Sequence, residues 1–288
     1  MEYGTKGTLF VVLSAFCYGL TPTFTKQIYA LDVSVLSAVT MRFLIAFFAL
    51  GIFLFIKDRK LLRLEYARIR TYLALGASYL AVIGLTLAAL KYAPVAIVIL
   101  VLYTYPIMIL FYKIIFLKEP WDGKMAALLF GSLLGMVLLL GMSFYGAGIT
   151  GIVFSFLAAL SFACYVLMSG KNAKDLSPFT LGFYTYAVAA AIISLAYLFI
   201  NGFSFHFVPA SVAPFLFLGI GTTIFPSLLF LRGLKYIETT KAAALAMLEP
   251  LFAILFAFLL NGETLTPMQI LGGVVLFVCS FFISFRKQ

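Results

Sequence analysis

Charge is what this sequence has least of. Only 10% of its 288 residues are Asp, Glu, Lys or Arg, and 64% are hydrophobic, whereas soluble globular domains run at roughly 25% and about 45–50%. That balance excludes an ordinary water-soluble domain. Histidine occurs once, at His206, and the three cysteines Cys17, Cys164 and Cys279 stand singly in separate apolar stretches. Neither a disulfide framework nor a metal site is expected from such spacing, and apolar packing is the role read for the cysteines. There is no G-x-x-x-x-G-K-[ST] phosphate-binding motif, which argues against transport driven by ATP hydrolysis within the chain. The apolar runs contain no Asp, and His206 falls in a loop expected on the exterior. An intramembrane enzyme, which needs convergent acids, bases or metal ligands, is therefore disfavoured, and no cofactor is implied. No small-residue cleavage site of the A-x-A kind follows the first apolar run, and bulky Phe16 precedes Cys17. The first run is thus expected to be a retained span, neither a signal peptide nor a lipid-attachment site.

What is there in abundance is long apolar sequence. A helix needs about 20 mostly apolar residues to cross roughly 30 Å of hydrocarbon. Turn signals and charges mark out ten such stretches, near 7–29, 33–56, 71–91, 94–116, 123–141, 149–170, 177–200, 211–233, 239–260 and 266–285. They lack the two-residue alternation of a membrane barrel, so helices that satisfy their own backbone are expected. The fold class expected is all-α integral membrane. The charged loop from Lys57 to Arg70 is the only sizeable one; it is read as serving topology or contact with anionic lipid.

Residues 90–119 and 234–263 match at an offset of 144, through Leu90/Leu234, Lys91/Lys235, Tyr92/Tyr236, Pro106/Pro250 and Glu119/Glu263. Lys, Pro and Glu are scarce in this chain and still coincide, which marks an internal duplication. One unit is placed at 1–141 and the other at 149–288, with a linker at 142–148. The 20 basic residues are unevenly shared between the two sides. Counting alternate loops, all but Lys26, Lys91 and the intraspan Arg42 fall on the side that holds both termini. The positive-inside rule makes that side cytoplasmic, so the net charge of +10 reports topology and not a nucleic-acid partner. Trp121 is read as an interfacial anchor. Five spans per unit is an odd number, so the second unit enters the membrane from the opposite face. The ten helices are therefore expected as two inverted five-helix repeats, a construction that lets a central site open alternately to each side.

The run Met247-Leu248-Glu249-Pro250-Leu251-Phe252, with Gly262-Glu263 and Gln269-Ile270-Leu271-Gly272 after it, resembles the second unit of EamA-type members of the drug/metabolite transporter superfamily. The first unit is similar through Tyr18-Gly19, Arg42-Phe43, Ala89-Leu90-Lys91-Tyr92, Tyr105-Pro106 and Lys118-Glu119. It departs from the usual pattern at Tyr18, where Trp is common, and at Pro22. The resemblance implies a central cavity surrounded by spans one to four and six to nine, with spans five and ten packed outside. It also implies residence in the cytoplasmic membrane and handling of small metabolites, amino acids or drugs, mostly by export and in some members by import.

Two fully charged side chains lie deep in the expected spans. Arg42 and Glu249 are each about 14–15 Å from an edge, near the midplane, where a lipid-facing charge costs roughly 2.5–3.5 kcal/mol. Both should face the interior. One reading puts them on the substrate, Glu249 taking a cationic group or a proton and Arg42 a carboxylate; the other makes them a packing ion pair, or Arg42 a cap on helix carbonyls. Ala242, Ala246, Glu249 and Ala253 share a face of span nine, leaving room either for a ligand or for a close neighbour. Tyr79, Tyr103 and Tyr165 are candidates for stacking on or hydrogen bonding to a substrate, Thr222 and Thr223 weaker ones, and Tyr72 an interfacial anchor. Pro22, Pro106 and Pro250 interrupt spans and are read as bends that could hinge. Gly131 and Gly135 form a small-xxx-small pair, read as the seam of a homodimer. A secondary transporter or facilitator of small organic metabolites, exporting by alternating access, is the function expected, with a coupling proton one of the roles open to Glu249, ahead of a membrane sensor or scaffold.

Overall fold

The computed structural model describes residues 2–141, 148–202 and 209–286; His206, Lys287 and all of the 142–148 linker except Gly148 lie outside the described residues. Among these residues ten helices are long and apolar enough to cross a bilayer: α1 Gly4–Tyr29, α2 Val35–Lys57, α3 Tyr66–Ala89, α4 Val95–Phe116, α5 Gly123–Leu140, α6 Ile149–Asn172, α7 Pro178–Ile200, α8 Val212–Gly233, α9 Thr239–Leu260 and α10 Pro267–Phe285. The described residues contain no strand. Large apolar side chains such as Phe48, Ile52, Ile56, Phe199, Phe277 and Phe281 stand exposed around the bundle. In water that surface would drive association; in hydrocarbon it is the solvated face.

Among the described residues four spans are interrupted, each just before a proline. α1 consists of Glu2–Gly19 and Thr21–Tyr29, α4 of Val95–Leu102 and Tyr105–Phe116, and α9 of Thr239–Ala246 and Glu249–Asn261, with Pro22, Pro106 and Pro250 in the first turn of each second piece. In α8 a π-helical stretch, Phe217–Ile224, precedes Pro226. Proline lacks the amide hydrogen and crowds the carbonyl four residues back, so the ladder parts there. The breaks in α4 and α9 fall 144 residues apart, as do the starts of α5 and α10 and the ends of α3 and α8. Helix neighbours follow the same offset. α3 packs along α6 as α8 does along α1, while α2 pairs with α7 and α5 with α10.

The α5–α10 pair corrects one expectation. A Cβ on Gly135 would lie 2.8 Å from the Leu276 nitrogen, one on Gly272 would lie 2.3 Å from the Leu139 nitrogen, and one on Gly131 would meet Cys279 Sγ at 2.8 Å. The Gly131/Gly135 stripe is thus occupied by α10 of the same chain, because glycine lets two backbones approach; it is not a free seam for a second copy. Tyr72 is a second correction. It is 1% exposed and stacks on Tyr184 at 4.2 Å between ring centroids, because the charged loop folds over that end of α3 and α7. The loop forms short turns at Arg59–Leu62 and Tyr66–Arg68. Its Leu61 and Leu62 carbonyls accept from Thr180 Oγ1 at 3.1 Å and Tyr184 Oη at 2.9 Å.

The end of the bundle that carries both termini is tied more tightly than the other. Lys113, only 6% exposed, is held by Glu119 at 2.7 Å and by Glu238, joining α4 to the α8–α9 turn. Lys241 donates to the carbonyls of Ser284 at 2.7 Å and Arg286 at 2.9 Å. At the opposite end the exposed Lys26–Glu263 pair is 3.5 Å long and contributes little. Asp122 caps α5 through the Met125 amide and pairs with Arg286. Partial burial pushes the Asp122 carboxyl up, but the Met125 amide and the Arg286 guanidinium outweigh it and hold the group below its ordinary value of 3.8.

Three outcomes follow. Gly272→Val should destabilise the protein by about 1–3 kcal/mol through overpacking, read as a lowered unfolding temperature in detergent. Gly84→Ala, with open space around its Cβ, should leave that temperature unchanged or slightly raised. The depressed carboxyl at Asp122 stabilises the fold above its unfolded value, and that contribution is lost as pH falls through the folded value. Between pH 5 and pH 3 the unaltered protein should therefore lose more stability than Asp122→Asn, measured by denaturant unfolding across that window.

Candidate functional site

The break in α9 places Glu249 as the first residue of a new helical piece. A helix start carries unpaired amides and the positive end of the dipole, which favours an anion, so the carboxylate stands where the backbone best tolerates its charge. It lines a narrow cavity of about 20 Å³ together with Ser14, Ala15 and Tyr18 of α1, Tyr79 of α3, Phe162 and Tyr165 of α6, Ser227 and Phe230 of α8, and Ala246 of α9. As it stands this space suits a water molecule, so a metabolite requires the surrounding helices to part.

Aromatic side chains make up half of the lining residues. Tyr18 Oη and Tyr79 Oη are 3.4 Å apart, and the Tyr79 ring lies 5.0 Å from that of Tyr165 and 5.9 Å, edge-on, from Phe43. Tyr103 lies beside the Glu249 carboxyl, in a buried position behind the cavity. Tyr105, which the 144-residue offset matches to Glu249, is fully buried and donates to the Ala243 carbonyl at 3.2 Å. Equivalent breaks therefore carry a carboxylate in one half and a phenol in the other. Ser14 donates to the Pro226 carbonyl at 2.6 Å, and Tyr186 to the Thr223 carbonyl at 3.0 Å, with its hydroxyl also against Ser227.

Arg42 is placed differently. Pro226 cannot donate to the carbonyl of Thr222, four residues back, and Arg42 Nη2 reaches that oxygen at 3.3 Å while Nε donates to Thr223 Oγ1 at 2.6 Å. The guanidinium caps the π-helical break of α8, as an arginine satisfying helix carbonyls does. It is within electrostatic range of Glu249, but no ion pair joins them among the described residues. The Thr222 hydroxyl is fully buried and bonded to the Leu218 carbonyl of its own helix at 3.0 Å.

A model of the EamA-like transporter family matches residues 5–141 and again residues 149–285. The chain belongs to the EamA-like transporter family. It is 29% identical to an uncharacterized transporter of Archaeoglobus fulgidus over 279 residues, 96% of this chain and 94% of that one. Over 135 residues it is 27% identical to the riboflavin transporter ImpX of Fusobacterium nucleatum subsp. nucleatum, covering 46% of this chain and 45% of that one. A crystal structure of another protein superposes with a TM-score of 0.82 at 17% identity, over 97% of each chain, and so shares the fold. Family and relatives make this a multi-pass membrane transporter and not an enzyme.

In this EamA-like protein the structure brings Glu249, Tyr79 and Tyr165 to one cavity, sets Tyr103 behind the carboxylate, and leaves Arg42 and Thr222 at the α8 break beside it. The alanine stripe divides: Ala246 lines the cavity, whereas Ala253 packs on Gly19. Ser14, Tyr18, Phe162, Ser227 and Phe230 line the cavity without having been singled out for it. Ser14/Tyr18, Phe162/Tyr165 and Ser227/Phe230 are pairs three or four apart, a spacing that marks a shared helix face, but nothing in sequence says which face looks inward. Arg42→Ala should cost roughly 1.5–3 kcal/mol, because it removes charged hydrogen bonds from a buried helix break. Glu249→Gln, whose carboxamide can keep the Tyr103 contact, should unfold at nearly the unaltered temperature. Thermal unfolding of the two purified variants in the same detergent checks both.

Proposed function

We propose that this transporter exports a small organic metabolite across the cytoplasmic membrane by alternating access, with Glu249 receiving either a cationic group of the substrate or a coupling proton. The observation that carries this reading is the single midplane carboxylate at a helix start, in a cavity walled by spans from both halves of the chain. The recurrence of breaks and helix pairings at one offset supports two inverted units, 1–141 and 149–288, that exchange conformations. The basic excess supports cytoplasmic termini. The tight ties at that end, Lys113 with Glu119 and Glu238 above all, are the contacts that must open for the cavity to face the cytoplasm. The interrupted spans at Pro22, Pro106 and Pro250 supply bends about which the halves can move, since a broken ladder resists bending less than an intact one. Tyr18, Tyr79 and Tyr165 offer flat faces and hydroxyls to a substrate. Arg42 holds α8 in register beside the site and adds positive potential to it.

The test is flux in vesicles containing purified protein, with amino acids, small organic cations and riboflavin as the panel. At least one compound should move faster than in protein-free vesicles, and Glu249→Gln should abolish that flux or its dependence on a pH gradient. Flux with no compound, in protein shown to be folded, favours a sensor or scaffold; flux that is indifferent to Glu249→Gln removes Glu249 from the mechanism.

A further inference from the structure

A second and much larger hollow lies on the flank of the bundle, away from the central site. Its volume is about 660 Å³, and its walls are Ala49, Leu50 and Phe53 of α2, Phe179 of α7 and Ile220, Phe225 and Leu228 of α8, among others. That size falls within the roughly 300–1,000 Å³ of pockets that hold small organic ligands. Phe53, Ile220 and Phe225 are exposed, so the groove opens sideways into the hydrocarbon. It runs from Ile220 to Arg232, twelve residues along α8 and hence about 15–18 Å. Half of a hydrocarbon core is about 15 Å, so the groove spans one leaflet.

The mouth is chemically unlike the walls. It is formed by Arg232, Lys235 and Tyr236 at the end of α8 and by Ser177 and Pro178 at the start of α7, and no acidic side chain among the described residues lines it. Arg232 and Lys235 are both exposed, and neither forms an ion pair among the described residues. Nearby carboxylates are engaged elsewhere, Asp175 with Arg68 and Glu238 with Lys113. The Arg232 guanidinium lies over the Phe10 ring at 4.9 Å, and that ring stacks on Tyr236 of the mouth at 6.0 Å. A long apolar slot open to one leaflet and ending in two uncompensated cations matches one chemistry: an acyl chain below and a phosphate above.

We propose that this groove is a binding site for an anionic phospholipid of the leaflet at the basic end, its phosphate on Arg232 and Lys235 and one acyl chain along α8 between Phe53 and Phe225. The site is separate from the transport cavity and independent of the substrate and direction proposed above. It still touches the element that builds that cavity, because Leu228 on the groove side is adjacent to Ser227 on the cavity side.

The test is native mass spectrometry of purified protein titrated with phosphatidylglycerol and phosphatidylcholine of identical acyl chains. Phosphatidylglycerol should be retained at least about tenfold more tightly, as two surface cations warrant. The double variant Arg232→Gln/Lys235→Gln should bind the two lipids alike, while Lys118→Gln/Lys124→Gln, which removes the same charge at the same end of the other half, should keep the preference. Leu228→Trp, which fills the slot and leaves both cations in place, should weaken retention of phosphatidylglycerol. Each variant is first shown to unfold near the temperature of the unaltered protein; one that does not is replaced by Arg232→Lys/Lys235→Ala or by Leu228→Phe. Equal binding of the two lipids by the unaltered protein overturns the proposal. So does a preference that survives in the Arg232/Lys235 variant, or one lost equally in the Lys118/Lys124 variant.

Discussion

Backbone hydrogen bonding in a medium without water is the constraint on which this molecule depends. A carbonyl or amide left unpaired in hydrocarbon costs several kcal/mol, so ten helices are the default and every departure from helix must be answered locally. The chain departs at four places, in α1, α4, α8 and α9. At α8 the answer is visible atom by atom: Arg42 and Tyr186 supply the donors that Pro226 and the π-helical turn leave wanting, and Ser14 takes the Pro226 carbonyl from across the α1 interface. These bonds tie α1, α2 and α7 to α8. The polar groups that keep the breaks intact therefore also draw the central helices together.

The same constraint explains why the cavity is where it is. A helix break at midplane generates a helix start, and a helix start is the one place in a bilayer where a carboxylate meets a favourable field without a cation beside it. Glu249 occupies that position in α9, with the Tyr103 hydroxyl as its neighbour. Tyr105 occupies the matching position in α4 and uses its hydroxyl on the Ala243 carbonyl instead. Equivalent backbone geometry thus holds chemically different side chains, one structural and the other exposed to the cavity. The central site owes its position to the duplicated framework and its charge to a difference between the copies.

Much of the fold was legible from residues alone. The ten spans, the offset of 144 and the scarcity of charge in the spans follow from hydrocarbon thickness and the cost of burying ions, which act on any chain of this composition. The proline positions marked the breaks in α1, α4 and α9, but Pro226 in α8 was passed over, since nothing in sequence tells a proline that merely bends a span from one that follows a π-helical stretch. The glycine pair of α5 was recognised as a contact surface and assigned to the wrong partner. Close approach is a property of the glycines, whereas the identity of what approaches depends on where α10 returns. Tyr72 was placed at the interface for the same kind of reason, because the Arg59–Arg68 loop was read by its charges, whereas its Leu61, Leu62 and Leu64 pack against the core.

What the sequence by itself determined was the medium, the number of crossings, the repeat and the two ionisable groups that had to avoid lipid. These are local or additive quantities, set by composition and by spacing along one chain. Only the tertiary structure decided which of those two groups faces the cavity and which is bonded to a helix break, and which tyrosines of a set of 16 converge on Glu249. Convergence depends on the rotation of each helix about its own axis. In a bundle whose helices are apolar all round, that rotation leaves almost no trace in the pattern of residues.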